Sequence, residues 1–142
     1  MNHTIQQKYL QTKVQTATPE QLLLMLVDGA IKFCKLSIAA INRKDLTAAN
    51  NALIRTQDII TELNVTLDRT TELAAELARL YEYFNHRLIE ANTTKKAAPA
   101  EEVLTYLLQL KESWMEAALF LRQEQSTQQA SVSTGTSGSY YG

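Results

Sequence analysis

The side chains best able to do chemistry in this sequence are His86, His3 and Cys34, and none of them has the company a reaction needs. His86 opens the stretch HRLIEAN, residues 86–92. A histidine phosphotransfer bundle would show H-x-x-K-G, with a glycine to let a partner approach, and no glycine stands there. A di-iron bundle needs Glu-x-x-His pairs on two helices and two further glutamates. Glu82 precedes His86 by four residues, not three, and no second pair exists. Cys34 is the only cysteine, cannot close an intramolecular disulfide, and reads as a small buried hydrophobe. With no Gly-rich loop, no Cys/His cluster and no Ser/His/Asp set, the expectation is a protein without catalytic residues, cofactor or metal.

What the sequence has in excess is apolar helix. TATPEQLLLMLVDGAIKFC, residues 16–34, sets a helix start ahead of six consecutive apolar residues, Leu22 to Val27. Thr18, Pro19 and Gln21 form a capping box with proline where its missing N–H costs nothing. From Pro19 the face Leu23, Leu26, Ala30, Phe33, Ser37 and Ile41 opposes a polar stripe of Gln21, Asp28, Lys32, Lys35 and Asn42. Leu24, Ile31 and Ile38 add a second row on one flank, and Leu22 and Leu36 occupy the other. Such a helix needs neighbours on two sides.

Neither proline nor glycine occurs between Ala30 and Ala98, so long helices are expected there. A second helix after Asp45 carries Leu46, Ala49, Leu53, Thr56, Ile60, Leu63 and Leu67. Beside that seam Asn50, Gln57 and Asn64 recur every seven residues. A third, from about Glu72 to Asn92, carries Leu73, Leu77, Leu80, Phe84, Leu88 and Ala91. A fourth opens at Pro99 with Glu101 and Glu102 where the macrodipole favours acids, and runs to about Gln125. Its core row is Val103, Leu107, Leu110, Trp114, Ala117 and Leu121; Leu104, Leu108, Met115 and Leu119 form another. The pattern predicts an all-α, antiparallel up-down-up-down four-helix bundle over residues 18–124. Residues 1–17 form a mobile arm whose Ile5, Tyr9, Leu10 and Val14 are spaced as docking anchors. Residues 125–142, rich in Ser, Thr, Gln and Gly, read as a flexible tail.

Length and charge bound the rest. At 142 residues and 45% apolar content the chain fits one modest domain. Fourteen basic against fifteen acidic residues give a net charge of -1, which offers no long-range attraction to a phosphate backbone or an anionic membrane. The longest apolar run, six residues, falls far short of the roughly 20 that span a bilayer. No basic start with an apolar core reads as a leader. With one cysteine, this points to the cytoplasm.

Several blocks resemble the flagellin-specific secretion chaperones of the FliS type. ATPEQLLLMLVDGAI, residues 17–31, is similar to a family helix that commonly reads ASPEELILMLYDGAI. QDIITELNVTLD at 57–68, LYEYFNHRLIEAN at 80–92 and Trp114 in LKESWMEA follow in order, so the resemblance covers residues 5–120. Val27 stands where the family usually has an aromatic, so any polar contact of that ring is missing. Tyr9 matches an arm tyrosine of the family; the isoleucine usual three residues earlier is Gln6 here, with Ile5 one place before.

The resemblance implies a cytoplasmic chaperone that binds the disordered C-terminal region of flagellin 1:1, prevents premature polymerisation and delivers it to the flagellar type III export apparatus. It implies as partners the export gate protein FlhA, and an anti-sigma factor or other regulator as a competitor. The arm, with Ile5, Tyr9, Leu10 and Val14, would cover the empty groove and contact the gate. The residues themselves nominate Leu24, Ile31, Ile38, Leu108 and Met115 as groove side chains, and Asn50, Gln57 and Asn64 as amides meeting the bound backbone. A rival reading of the same surplus apolar surface is a homo-oligomeric helical bundle, a homodimer when free.

Overall fold

A computed structural model describes the backbone of residues 2–141 and the side-chain environment of residues 4–13 and 15–128. The helices are α1 (Asn2–Thr16), α2 (Pro19–Asn42), α3 (Leu46–Val65), α4 (Glu72–Thr94) and α5 (Ala98–Tyr141). The chain divides into two compact units, Met1–Lys111 and Glu112–Gly142.

The starts of α2, α3 and α4 each have a local cause. At α2 the Thr18 hydroxyl accepts from the Gln21 amide at 3.1 Å, and the Gln21 side chain accepts from the Thr18 N–H at 3.0 Å. Asp45 caps α3 by accepting from Ala48 N–H at 3.1 Å, and Thr71 caps α4 by accepting from Ala74 N–H at 3.2 Å. The connections 43–45 and 95–97 have three residues each, against six for 66–71. Both short ones turn through a lysine in the left-handed region, Lys44 at φ 63° and Lys95 at φ 54°.

In the first unit α2, α3, α4 and the start of α5 form an antiparallel ring. Arg55 lies on Phe33 and Ile59 approaches Gly29, so α3 runs opposite to α2. Asn50 meets Asn92 and Thr61 meets Asn85, which sets α4 against α3. Tyr106 sits 5.8 Å from Phe84, and Glu102 bonds Tyr83 and Arg87, joining α5 to α4. The ring closes where the Cys34 thiol donates to Ala100 C=O at 3.3 Å and Lys111 pairs with Asp28 at 2.7 Å. This is the expected up-down-up-down bundle.

The core comprises Val27, Ala30, Ile31, Cys34 and Ile41 of α2, with Leu53, Ile60 and Leu63 of α3. Tyr81, Phe84 and Leu88 of α4 and Val103 and Leu107 of α5 complete it. Two buried hydroxyls are satisfied within their own helices: Ser37 donates to Cys34 C=O at 2.6 Å and Thr56 to Ala52 C=O at 2.8 Å. Gly29 serves close approach, because a Cβ there would stand 3.3 Å from Ile59 Cδ1.

Four expectations need correction. Ile31, assigned to a groove, is only 7% exposed, because α2 is covered on two sides and its flank row joins the core. At the starts of α3 and α4, Leu46 and Leu73 are exposed, since the buried rows begin at Ala49 and Ala74. In α5 the buried row is Ala100, Val103 and Leu107; Leu121 is exposed, so helical periodicity there marks a face without a covering neighbour. Finally, α5 continues to Tyr141 rather than stopping near Gln125. Ser and Thr are middling helix formers and Gln a good one, and the glycines at 135 and 138 oppose the helix most, by about 1 kcal/mol each.

The second unit, Glu112–Gly142, is the later part of α5. Its Met115, Leu119, Phe120 and Leu121 are exposed.

The burial pattern separates two substitutions that look alike in sequence. Ile31→Ala should cost about 2–4 kcal/mol of stability and Leu108→Ala less than about 1 kcal/mol. Urea unfolding of the two variants measures both, and equal losses would contradict the assignment of Ile31 alone to the core.

Candidate functional site

On α3 the residues Asn50, Ile54, Gln57, Thr61 and Asn64 alternate in steps of four and three, a single helical stripe. On α4 Asn85, Ile89 and Asn92 do the same. Antiparallel packing brings the stripes face to face. Asn92 Nδ2 donates to Asn50 Oδ1 at 2.8 Å, and Lys95 Nζ donates to Asn92 Oδ1. Further along, Asn85 Nδ2 donates to Thr61 Oγ1 at 3.2 Å. Between these latches lie Ile54, 44% exposed, and Ile89, 52% exposed, with Gln57 half-buried beside them. Gln57 and both isoleucines line a concavity of about 290 Å³ whose polar wall is Asn50, Asn92 and Lys95.

The expected amide row is therefore divided in its roles. Asn50 is engaged by Asn92, while Asn64 accepts from Arg69 Nη2 through its backbone carbonyl at 2.9 Å and its side chain at 3.1 Å. Among the described residues Gln57 makes no side-chain hydrogen bond, so its donor and acceptor remain available. Of the apolar candidates, Leu24 and Ile38 are half-buried, and Leu108 and Met115 are exposed. Met115 belongs to the second unit. The arm is helical, and its Ile5, Tyr9 and Leu10 stand mostly in solvent. The Val14 side chain lies outside the described residues.

Sequence reasoning missed Ile54 and Ile89. The signal was present on α3, where Ile54 fills the gap between Asn50 and Gln57 in the stripe. It also missed the polar cluster joining α4 to α5. There the Tyr83 hydroxyl donates to Glu102, which pushes the phenol pKa up, and Arg87 pairs with Glu90 at 2.6 Å and Glu102 at 3.4 Å.

Among the described residues no reaction centre accompanies this surface. His86 is exposed, and among the described residues no three His, Cys, Asp or Glu side chains gather as metal ligands. Burial pushes the Cys34 thiol up to about 12, the direction opposite to a reactive thiolate. The structure places this chain in the class of all-helical bundles.

Comparison with known proteins gives that class its family. The model described as flagellar protein FliS matches residues 1–119. Flagellar secretion chaperone FliS of Bacillus subtilis (strain 168) is 40% identical over 109 residues, 77% of this chain and 82% of that protein. The protein of the same name from Salmonella typhimurium (strain LT2) is 33% identical over 108 residues, 74% of this chain and 80% of that one. A crystal structure described as a flagellar chaperone from bacteria shares the fold, with a TM-score of 0.67 over 83% of this chain and 98% of its own at 19% identity. The chain belongs to the FliS family of flagellar secretion chaperones. It is thus a chaperone and not an enzyme, and among the described residues no helix is long and apolar enough to cross a membrane.

Burial of Cys34 and Tyr81 gives the fold a contribution to stability that is lost at alkaline pH. Burial raises both, Cys34 from 9.0 and Tyr81 from 10.0, to about 12 in each case. Between the lower and upper values the folded chain holds protons that the unfolded chain has released. Stability is therefore fully present below about pH 9 and falls as pH rises towards 12. Replacing Cys34 by Ala and Tyr81 by Phe together should flatten this decline. Urea midpoints at about pH 8 and about pH 11 measure the slope, and an unchanged slope would assign the alkaline loss to other groups.

Proposed function

We propose that this chain acts in the cytoplasm, binds the disordered C-terminal region of flagellin 1:1, prevents its premature polymerisation and delivers it to the type III export apparatus. The observation that carries this reading is Gln57, whose unpaired amide lies between two exposed isoleucines in the α3/α4 concavity. Ile54 and Ile89 offer apolar anchorage to a segment laid along the seam. The Gln57 amide can donate to a backbone carbonyl and accept from a backbone N–H, which fixes register. A segment that must later pack in a filament is apolar, and until then it needs a surrogate for that packing.

The arm supplies a second contact. Ile5, Tyr9 and Leu10 are exposed on a helix and suit an encounter with the export gate protein FlhA. An anti-sigma factor or another regulator would compete for the same seam as flagellin. The homodimer reading draws on the exposed Met115, Leu119, Phe120 and Leu121 of the second unit; a dimer built on them would ignore a flagellin peptide.

Replacing Ile54 and Gln57 together by alanine should weaken binding of a flagellin C-terminal peptide by about 1–3 kcal/mol in calorimetry and leave the melting temperature nearly unchanged. Unchanged affinity would move the cargo off this seam. Deleting residues 1–16 should leave the bundle folded and flagellin bound, while secretion fails. Normal secretion by the truncated chain would remove the arm from the export step.

A further inference from the structure

The α2/α3 border carries a second concavity, on a different pair of helices from the seam proposed for cargo and independent of that reading. It measures about 340 Å³, with a floor of Phe33, Leu36, Ala48 and Ala52 and a rim formed by Arg43 and Arg55. Leu36 is 47% exposed, a large aliphatic side chain left in water at the edge of the floor. The Arg55 guanidinium lies 5.1 Å from the centre of the Phe33 ring and Lys32 Nζ lies 5.6 Å from it. One aromatic ring thus collects two cations.

The charges here are unbalanced in one direction. Lys32 and Arg55 enter no ion pair among the described residues. The acid one turn before Lys32, Asp28, is taken by Lys111 at 2.7 Å. Arg43 meets Asp45 at 3.6 Å, with both side chains about half exposed, a screened pair that a better acceptor displaces at little cost. Asp45 is also committed to capping α3. Two guanidiniums therefore rim the apolar hollow, a third cation, Lys32, lies on the ring of its floor, and among the described residues only Arg43 of the three is held in an ion pair.

We infer that this hollow is a binding site for an acidic amphipathic peptide helix, which seats a leucine-sized side chain on Phe33, Leu36, Ala48 and Ala52 and sets a Glu or Asp carboxylate, one turn away, between Arg43 and Arg55. The charge decides the occupant. A basic or neutral apolar segment would leave Lys32 and Arg55 unpaired at a drying interface, whereas a carboxylate can receive two or more N–H donors from the guanidinium groups of Arg43 and Arg55. The hollow is a furrow between two helices, which suits a side chain presented from the middle of a helix.

The test uses the full chain, labelled with 15N, and an acetylated, amidated alanine-based helical peptide of about 15 residues with Leu and Glu spaced four apart on one face. The expected result is amide shifts confined to residues around Phe33, Leu36, Ala48 and Arg55. Exchanging Glu for Gln in the peptide, or Arg55→Gln in the chain, should weaken binding at least about fivefold. Raising salt should weaken the parent peptide and leave the Gln peptide unaffected. Arg55 is exposed, so the R55Q chain should keep its melting temperature. Equal binding of the Glu and Gln peptides would overturn the proposal, as would shifts confined to the α3/α4 seam. Binding seen only with a peptide whose free C-terminal carboxylate replaces the Glu would likewise overturn it.

Discussion

Removal from water of one stripe on α2, from Val27 through Ala30, Cys34 and Ser37 to Ile41, is the constraint around which the bundle is arranged. Three of these five side chains are small. That lets α5 come near enough for the Cys34 thiol to reach the Ala100 carbonyl, while Gly29 on the adjoining side admits Ile59 from α3. A helix approached closely on both flanks can afford an apolar arc wider than one face, which is why the run from Leu22 to Val27 is tolerated. The same closeness accounts for Val27. It is wholly buried, and an aromatic of the kind usual in the family would need room that this core does not offer without shifting its neighbours.

What could be read before folding was whatever the chain decides within a few residues. Thr18 with Gln21, Asp45 and the proline at 99 set helix starts through local hydrogen bonds and backbone geometry, and α2, α3 and α5 begin at or within one residue of where those signals put them. Register against neighbours is a different matter. Leu73 and Ala74 are adjacent, and only the position of the rest of the bundle makes Ala74 the buried one. Ile31 was legible as apolar but not as core, because periodicity calls for a second neighbour without saying whether it is a helix of the bundle or a bound segment. The composition of residues 125–142 spoke for weak helical preference, and preference alone does not place the end of α5.

The candidate seam was half legible for the same reason. A seven-residue recurrence exposed Asn50, Gln57 and Asn64 as one face of α3, yet their fates differ because their partners come from elsewhere: Asn92 from α4, Arg69 from the following loop, none for Gln57. Ile54 shares their stripe, and Ile89 becomes relevant only once α4 is laid opposite. Chemistry-bearing residues misled less. His86 and Cys34 lacked neighbours in the sequence, and folding puts one at the surface and the other in the dark of the core.

The unequal lengths of the connections make the bundle two stiff hairpins. α2–α3 and α4–α5 are each closed by three residues turning through a left-handed lysine, whereas six residues join α3 to α4. The α3/α4 border is therefore the joint between the hairpins, pinned at the surface by the Asn50–Asn92 and Thr61–Asn85 bonds. Side-chain amides fasten the hairpins to each other there, whereas within each hairpin a three-residue turn fixes which helix lies beside which.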